Sequence, residues 1–220
     1  MKVYYLPSEV KALVFDMDLT LYTHPEYGQY QIDSLVERLG KLRGLSFQEM
    51  SCEVEKTRKV LAESQGRGNT SLSNVLCHYG INMEENVRWR EETYKPEQFI
   101  KEDLKLKANL NELFQSYILG VVTNNPVLIA RRTLAALGVG ECFTVLVGLD
   151  TCMVSKPHEK PFIKFAELAG CPPECCVSIG DRYDIDLDIP LKLSMGGILV
   201  DGVEDVYQLP SVLKQELIYI

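Results

Sequence analysis

Ala12-Leu13-Val14-Phe15-Asp16-Met17-Asp18-Leu19-Thr20 decides how this chain folds. An apolar run ends at two carboxylates separated by one residue. A short apolar run bounded in this way reads as a strand buried in a parallel sheet. Side chains two apart on an extended chain share a side, so Asp16 and Asp18 face one point. In open α/β sheets the ligand sits beyond the carboxyl ends of the strands. The pair therefore marks a place where a cation and a reacting group can be held.

Downstream of residue 105 the same grammar repeats. Leu106, Leu110, Leu113 and Phe114 form a helix face, Tyr117 to Thr123 a strand, and Pro126 to Leu137 a helix ended by Gly138. Phe143 to Gly148, Cys175 to Gly180 and Gly197 to Asp201 are further strands. Helices over Pro161–Ala169 and about Ile185–Met195 separate them. Strands alternating with helices mean βα units and an α/β fold on a parallel sheet. Between about residues 25 and 104 the pattern is helical only. Ile32, Leu35, Val36 and Leu39 follow helical spacing up to Gly44. Ser46 with Glu49 and Asn82 with Glu85 read as helix caps, and Leu72, Val75, Leu76 and Tyr79 give another helix face. A helical bundle of roughly 80 residues is thus inserted after the first buried strand.

Composition narrows the classes. The chain has 220 residues, 46% hydrophobic and 25% charged, as in an ordinary globular protein. A net charge of −8 argues against a nucleic-acid polymer as the main ligand, because such binding needs clustered Lys and Arg. No apolar run reaches the roughly 18 residues of a membrane span, and the first residues lack an apolar signal core. Cys171, Cys175 and Cys176 cluster without a histidine nearby, so reduced core thiols are expected there rather than a metal site. A cytoplasmic protein is expected.

Polar points sit at the predicted strand ends: Asp16 and Asp18, then Thr123-Asn124-Asn125, then Lys156, then Asp181 with Asp184 and Asp186 close behind. D-x-D-x-T, a strand-terminal Thr, Lys-Pro and G-D-x-x-x-x-D, in that order, resemble the haloacid dehalogenase superfamily of hydrolases. The resemblance implies a Rossmann-like core with helices on both faces over residues 1–24 and 105–220. It also implies a helical cap over 25–104, Mg²⁺, and phosphoryl transfer. By that resemblance Asp16 attacks phosphorus through an aspartyl-phosphate, and Asp18 protonates the leaving alcohol and then takes a proton from water. Asp16, the backbone carbonyl of Asp18, and Asp181 match the metal ligands. Asp186 matches the second acid of the last motif, with Asp184 its rival. Thr123 and the backbone N–H of Asn124 would hold a phosphate oxygen, with Asn125 capping the helix that Pro126 opens. Lys156 would neutralise nucleophile and phosphate. Lys160 is the competitor, but Pro161 opens a helix there and leaves Lys160 at the surface.

Charge arithmetic agrees with a cation. Asp16, Asp18, Asp181 and a phosphate dianion bring about five negative charges together, and like charges at 4 Å repel by roughly 1–4 kcal/mol per pair. Mg²⁺ suits such oxygens. Gly66-Arg67-Gly68-Asn69 follows no strand and lacks Lys-Ser or Lys-Thr, so it is no nucleotide P-loop. In the family, cap loops select the leaving group, which makes Arg67, Asn69 and Tyr27 candidates. The expected activity is a Mg²⁺-dependent phosphatase acting on a small phosphorylated metabolite: a sugar phosphate, a phosphoglycolate-like acid or a nucleoside monophosphate. A phosphomutase would keep the same residues. The family's dehalogenases lack the second aspartate, so Asp18 argues against one. A non-catalytic scaffold has no need for three repelling carboxylates.

Overall fold

In a computed structural model, residues 1–64, 66 and 70–216 of the chain are described. The organising strand is β2, Ala12–Phe15, every residue of which is buried. Its side chains alternate between two cores, as a strand sandwiched between helices requires. Leu13 and Phe15 join one cluster with Leu106, Leu110 and Leu134, while Ala12 and Val14 join another with Phe162 and Phe165. Helices therefore cover both faces.

The strands are β1 (Lys2–Tyr5), β2, β3 (Ile118–Val122), β4 (Val145–Val147), β5 (Cys176–Gly180) and β6 (Gly196–Leu199), in sheet order β1-β6-β5-β2-β3-β4. All pairs are parallel except β1 with β6. This antiparallel edge strand was not expected from the sequence. Its residues are exposed or half-buried, so no apolar run announces it. Phe15 lies opposite both Val121 and Ile179, so β2, β3 and β5 end level with one another. Asp16, Thr123 and Asp181 consequently emerge on one edge.

The helical stretch after β2 comprises α1 (Pro25–Arg43), α2 (Phe47–Ser64), α3 (Leu72–His78) and α4 (Met83–Thr93). Gly44 ends α1 in the left-handed region, at φ 68°. Ser46 and Glu49 cap α2 reciprocally, and Asn82 accepts from the Glu85 N–H at 2.8 Å to open α4. Leu35, Leu39, Met50, Val54, Val75, Leu76 and Trp89 form their own core. Beyond them lie α5 (Leu104–Phe114), α6 (Val127–Ala136), α7 (Leu149–Cys152), α8 (Glu159–Ala169), α9 (Asp188–Lys192), α10 (Val203–Val206) and α11 (Leu209–Glu216). Among the described residues no helix is long and apolar enough to cross a membrane.

Three details depart from expectation. Phe114 is 42% exposed, so the buried face of α5 is Leu106, Leu110 and Leu113 alone. Helix α8 opens at Glu159, two residues before Pro161, with the His158 side chain accepting from the Lys160 N–H. The continuous helix expected over Ile185–Met195 is a π-helical turn, Tyr183–Leu187, followed by the short α9. The turn has a cause. Asp186 is pinned at both ends: its carbonyl accepts from Ser178 Oγ at 2.7 Å, and its carboxylate reaches inward to Lys156. A single wide turn admits that side chain where a regular helix would not.

Candidate active site

Lys156 is the centre of the site. It is 1% exposed, and its Nζ donates at 2.6 Å to Asp16 Oδ1 and at 2.6 Å to Asp186 Oδ1. Burial opposes its charge, but the two carboxylates more than compensate, and the ammonium is held protonated. Asp184 has no such role, so Asp186 is the acid that the fold turns inward. Gly180 makes room for it: a Cβ there would stand 2.4 Å from Asp186 Cβ. Lys160 is exposed, as expected.

Asp16, Asp181 and Asp186 each offer a carboxylate oxygen within 4.8 Å of the others. Asp16 Oδ2 and Asp181 Oδ1 are buried without a hydrogen-bond partner among the described residues, the latter 3.6 Å from Arg182 Nε as a looser ion pair. Burial, and then the charge of Asp16, push the Asp181 carboxyl up to about 7. Orphaned hard oxygens in a crowded acidic cluster suit a divalent cation such as Mg²⁺. Of the expected metal ligands Asp16 and Asp181 lie in this cluster, with Asp186 as a third carboxylate; the expected contribution of Asp18 is its backbone carbonyl.

The Asp18 carboxylate turns elsewhere. Leu19 follows it in the left-handed region, at φ 62°, and bends the chain away from the strand. Asp18 Oδ1 accepts from Tyr22 Oη and, at 2.9 Å, from Gln31 Nε2; Oδ2 accepts from Asn125 Nδ2 at 2.9 Å. Desolvation, and then Asp16, raise its pKa against these donors.

Thr123 is buried, and its Oγ1 accepts from the Asn125 N–H at 3.1 Å, which leaves the hydroxyl proton free to donate. Asn124 clamps the Lys156 backbone through its side chain, accepting from the Lys156 N–H at 2.6 Å and donating to its carbonyl at 3.2 Å. Asn125 does not cap α6. Pro126 occupies that position, and the Val127 N–H is satisfied by Asp150 Oδ1 at 2.9 Å. The Asn125 amide instead donates to Asp18 and Gln31 and accepts from Arg90 Nη1 at 3.1 Å. The strand end and the helical stretch are thereby joined through one side chain.

A cavity of about 360 Å³ opens over Asp18, Asp181 and Asn124, and its far wall carries Arg58, Ser73 and Arg90 from the helices. That volume suits a small organic ligand. Of the expected selectivity residues, Arg67 and Asn69 lie outside the described residues. Tyr27 does not line the cavity. It is fully buried and stacks on Phe99 at 5.0 Å, so its part is packing. Gln31, Arg58 and Arg90 escaped sequence reasoning. Each is a polar residue on a helix, where spacing does not tell an inward polar group from a solvated one.

Comparison with known proteins places this geometry. The profile described as haloacid dehalogenase-like hydrolase matches residues 13–189. A phosphoglycolate phosphatase of Pectobacterium atrosepticum is 28% identical over 130 residues, 48% of this chain and 53% of that protein. One from Xylella fastidiosa is 44% identical over 62 residues, 28% of this chain and 27% of that protein. The chain thus spans about a quarter to about half of the length of these relatives. The crystal structure of a haloacid dehalogenase-type phosphatase from Thermococcus onnurineus superposes with a TM-score of 0.60 at 21% identity, covering 93% of this chain and 98% of that one. At that identity the likeness is one of fold.

Proposed function

The chain belongs to the haloacid dehalogenase-like hydrolase family, and from that premise we propose that it is a Mg²⁺-dependent phosphatase of small phosphorylated metabolites. The observation that carries this reading is the buried Lys156 bridging Asp16 and Asp186, grouped with Asp181, which together with Asp18 also lines a ligand-sized cavity. The phosphoglycolate phosphatases among the relatives support it.

In this reading the Asp16 carboxylate attacks phosphorus in line with the leaving oxygen and forms an aspartyl-phosphate. Lys156 offsets charge on the nucleophile and on the phosphoryl oxygens. The Thr123 hydroxyl donates to one of those oxygens. Asp18 gives a proton to the departing alkoxide and later withdraws one from the attacking water. Its raised pKa favours the first of these steps. Asp16, Asp181 and Asp186 would hold Mg²⁺, together with the Asp18 carbonyl, and the ion would supply further charge neutralisation on the phosphate. Residues 25–104 act as the cap that keeps bulk water from the intermediate, and residues 1–24 and 105–220 form the catalytic core. All seven cysteines are free, which supports a reducing cytoplasmic setting.

Phosphate release across sugar phosphates, phosphorylated short acids and nucleoside monophosphates, with and without Mg²⁺, tests the reading. Metal-dependent release from one class is the expected result. No release from any member, together with no Mg²⁺ binding by calorimetry, would overturn it.

A further inference from the structure

Arg90 is an unusual cation. It is 6% exposed, and its hydrogen-bond partners are neutral. Nε donates to Asn86 Oδ1 at 2.9 Å, Nη1 to Tyr94 Oη at 3.4 Å and to Asn125 Oδ1 at 3.1 Å, and Nη2 to Ser73 Oγ at 3.0 Å. No carboxylate among the described residues lies within ion-pair distance. Asp18 is reached only through the intervening Asn125 amide. A guanidinium has five N–H groups, so one on Nη2 is left over. A buried charge with neutral partners is costly, and the cost is relieved when an opposite charge arrives.

Arg58 of α2 borders the same cavity. Its Nε is buried with no partner among the described residues, and only Nη1 meets an acid, Glu55 at 3.3 Å. Glu55 is 59% exposed, so that pair is solvent-screened and holds the guanidinium weakly. The cavity is therefore polarised. Asp18 and Asp181 stand on the sheet side with Arg182, whose charge is turned to those acids, and two guanidinium groups with spare N–H donors stand on the helical side.

We infer that Arg58 and Arg90 form a second anion subsite, which receives a carboxylate or second phosphate carried by the substrate away from its scissile phosphate. This rests on the phosphatase reading and narrows it: the substrate is a short phosphate monoester with an anionic far end, rather than a neutral sugar phosphate or a nucleoside monophosphate. Guanidinium donors match the two oxygens of a carboxylate or phosphate in a planar fork. The net charge of −8 makes this local cationic wall stand out further, because a dianionic ester is repelled by most of the surface and accepted here.

The experiment compares phosphate monoesters with the same two- or three-carbon skeleton, ending in carboxylate, in phosphate or in neutral carboxamide. All are assayed with Mg²⁺ in the wild type and in Arg58→Gln, whose side chain is partly exposed and whose loss leaves the core packed. The wild type is expected to favour an anionic end over the carboxamide by at least about tenfold in kcat/KM, with the larger preference telling carboxylate from phosphate. Arg58→Gln is expected to cut that ratio about tenfold, chiefly through KM, with an unchanged melting curve. Arg58→Lys should recover part of it. Equal turnover of anionic and neutral esters, or a ratio indifferent to Arg58→Gln, overturns the subsite and leaves the phosphatase reading standing. No turnover of these esters, with phosphate still released from a sugar phosphate or nucleoside monophosphate, overturns the subsite alone; no release from either set together with no Mg²⁺ binding overturns the phosphatase reading and the subsite with it.

Discussion

The two walls of the cavity are built in opposite ways. The sheet side gathers Asp16, Asp181 and Asp186 around Lys156 with Arg182 beside them, Asp16 and Asp181 directly after buried strands and Asp186 on the turn that follows β5. The helical side presents Arg90, held by neutral amides and hydroxyls, and Arg58, paired only with the exposed Glu55. The first wall is over-supplied with negative charge and calls for a cation. The second is over-supplied with positive charge and calls for an anion. The difference teaches that the two charged groups rest on separate supports: strand ends and the turn after β5 place the acids, and helix packing places the guanidinium groups.

The largest expected effect breaks the first wall alone. Asp16→Asn keeps the size of the side chain and a hydrogen-bonding oxygen near Lys156 but removes the carboxylate proposed to attack phosphorus. Phosphate release should fall by at least about 10⁴-fold, while the circular dichroism spectrum stays that of the wild type. Substantial residual turnover would show that Asp16 does not form a covalent intermediate. Lys156→Met should act on folding as well. It leaves Asp16 and Asp186 buried without their shared counter-charge, a loss of about 3–5 kcal/mol in urea denaturation. A stability unchanged by that substitution would mean that the acids are compensated from elsewhere.

The acidic cluster also sets a pH dependence. Burial and the neighbouring Asp16 charge push the carboxyl of Asp181 up to about 7 in the folded protein, from an ordinary 3.8. A carboxyl raised on folding contributes stability that is complete below about pH 4 and is lost as pH climbs through about 7. The metal-free protein should therefore weaken over that window. Asp181→Asn should remove the loss and stabilise the metal-free protein at pH 8 by roughly 1–3 kcal/mol. Mg²⁺ should raise the melting temperature of the wild type and have much less effect on the variant. If the variant melts below the metal-free wild type at pH 8, repulsion within the cluster is not what Asp181 experiences.

How much of this was legible follows from the same division. Buried parallel strands are continuous apolar runs, so Ala12–Phe15, Leu119–Val122 and Val177–Gly180 declare themselves, and the polar residues after them are conspicuous. Asp16, Thr123, Lys156, Asp181 and Asp186 are therefore legible in the sequence as polar residues that follow buried strands. Strand β1 was not, because Lys2, Tyr4 and Tyr5 are exposed on an edge and show no apolar face. Arg90 was not, because it stands in the polar run between Trp89 and Tyr94. Helical spacing identifies an apolar stripe but is silent on a polar residue that finds buried amides. Asn125 looked like a helix cap because Asn before Pro-Val commonly is one. Its amide is spent instead on Asp18, Gln31 and Arg90, contacts from distant parts of the chain that no local pattern encodes.

The smallest expected effect asks whether the second wall depends on the helix that carries it. Asn82 opens α4 two turns before Arg90 and touches neither the cavity nor the acids. Asn82→Ala should cost about 1 kcal/mol through the lost cap and fray the first turn of α4. Arg90 is fastened independently by Asn86, Ser73 and Asn125, which come from α4, α3 and the loop after β3. The guanidinium should therefore keep its place. A modest drop in thermal stability with an unchanged preference for anionic over neutral esters is the outcome this anchoring demands. A falling preference would mean that the wall is positioned by the integrity of the helix rather than by its side-chain network, and the contrast with the register-fixed acids would be sharper still.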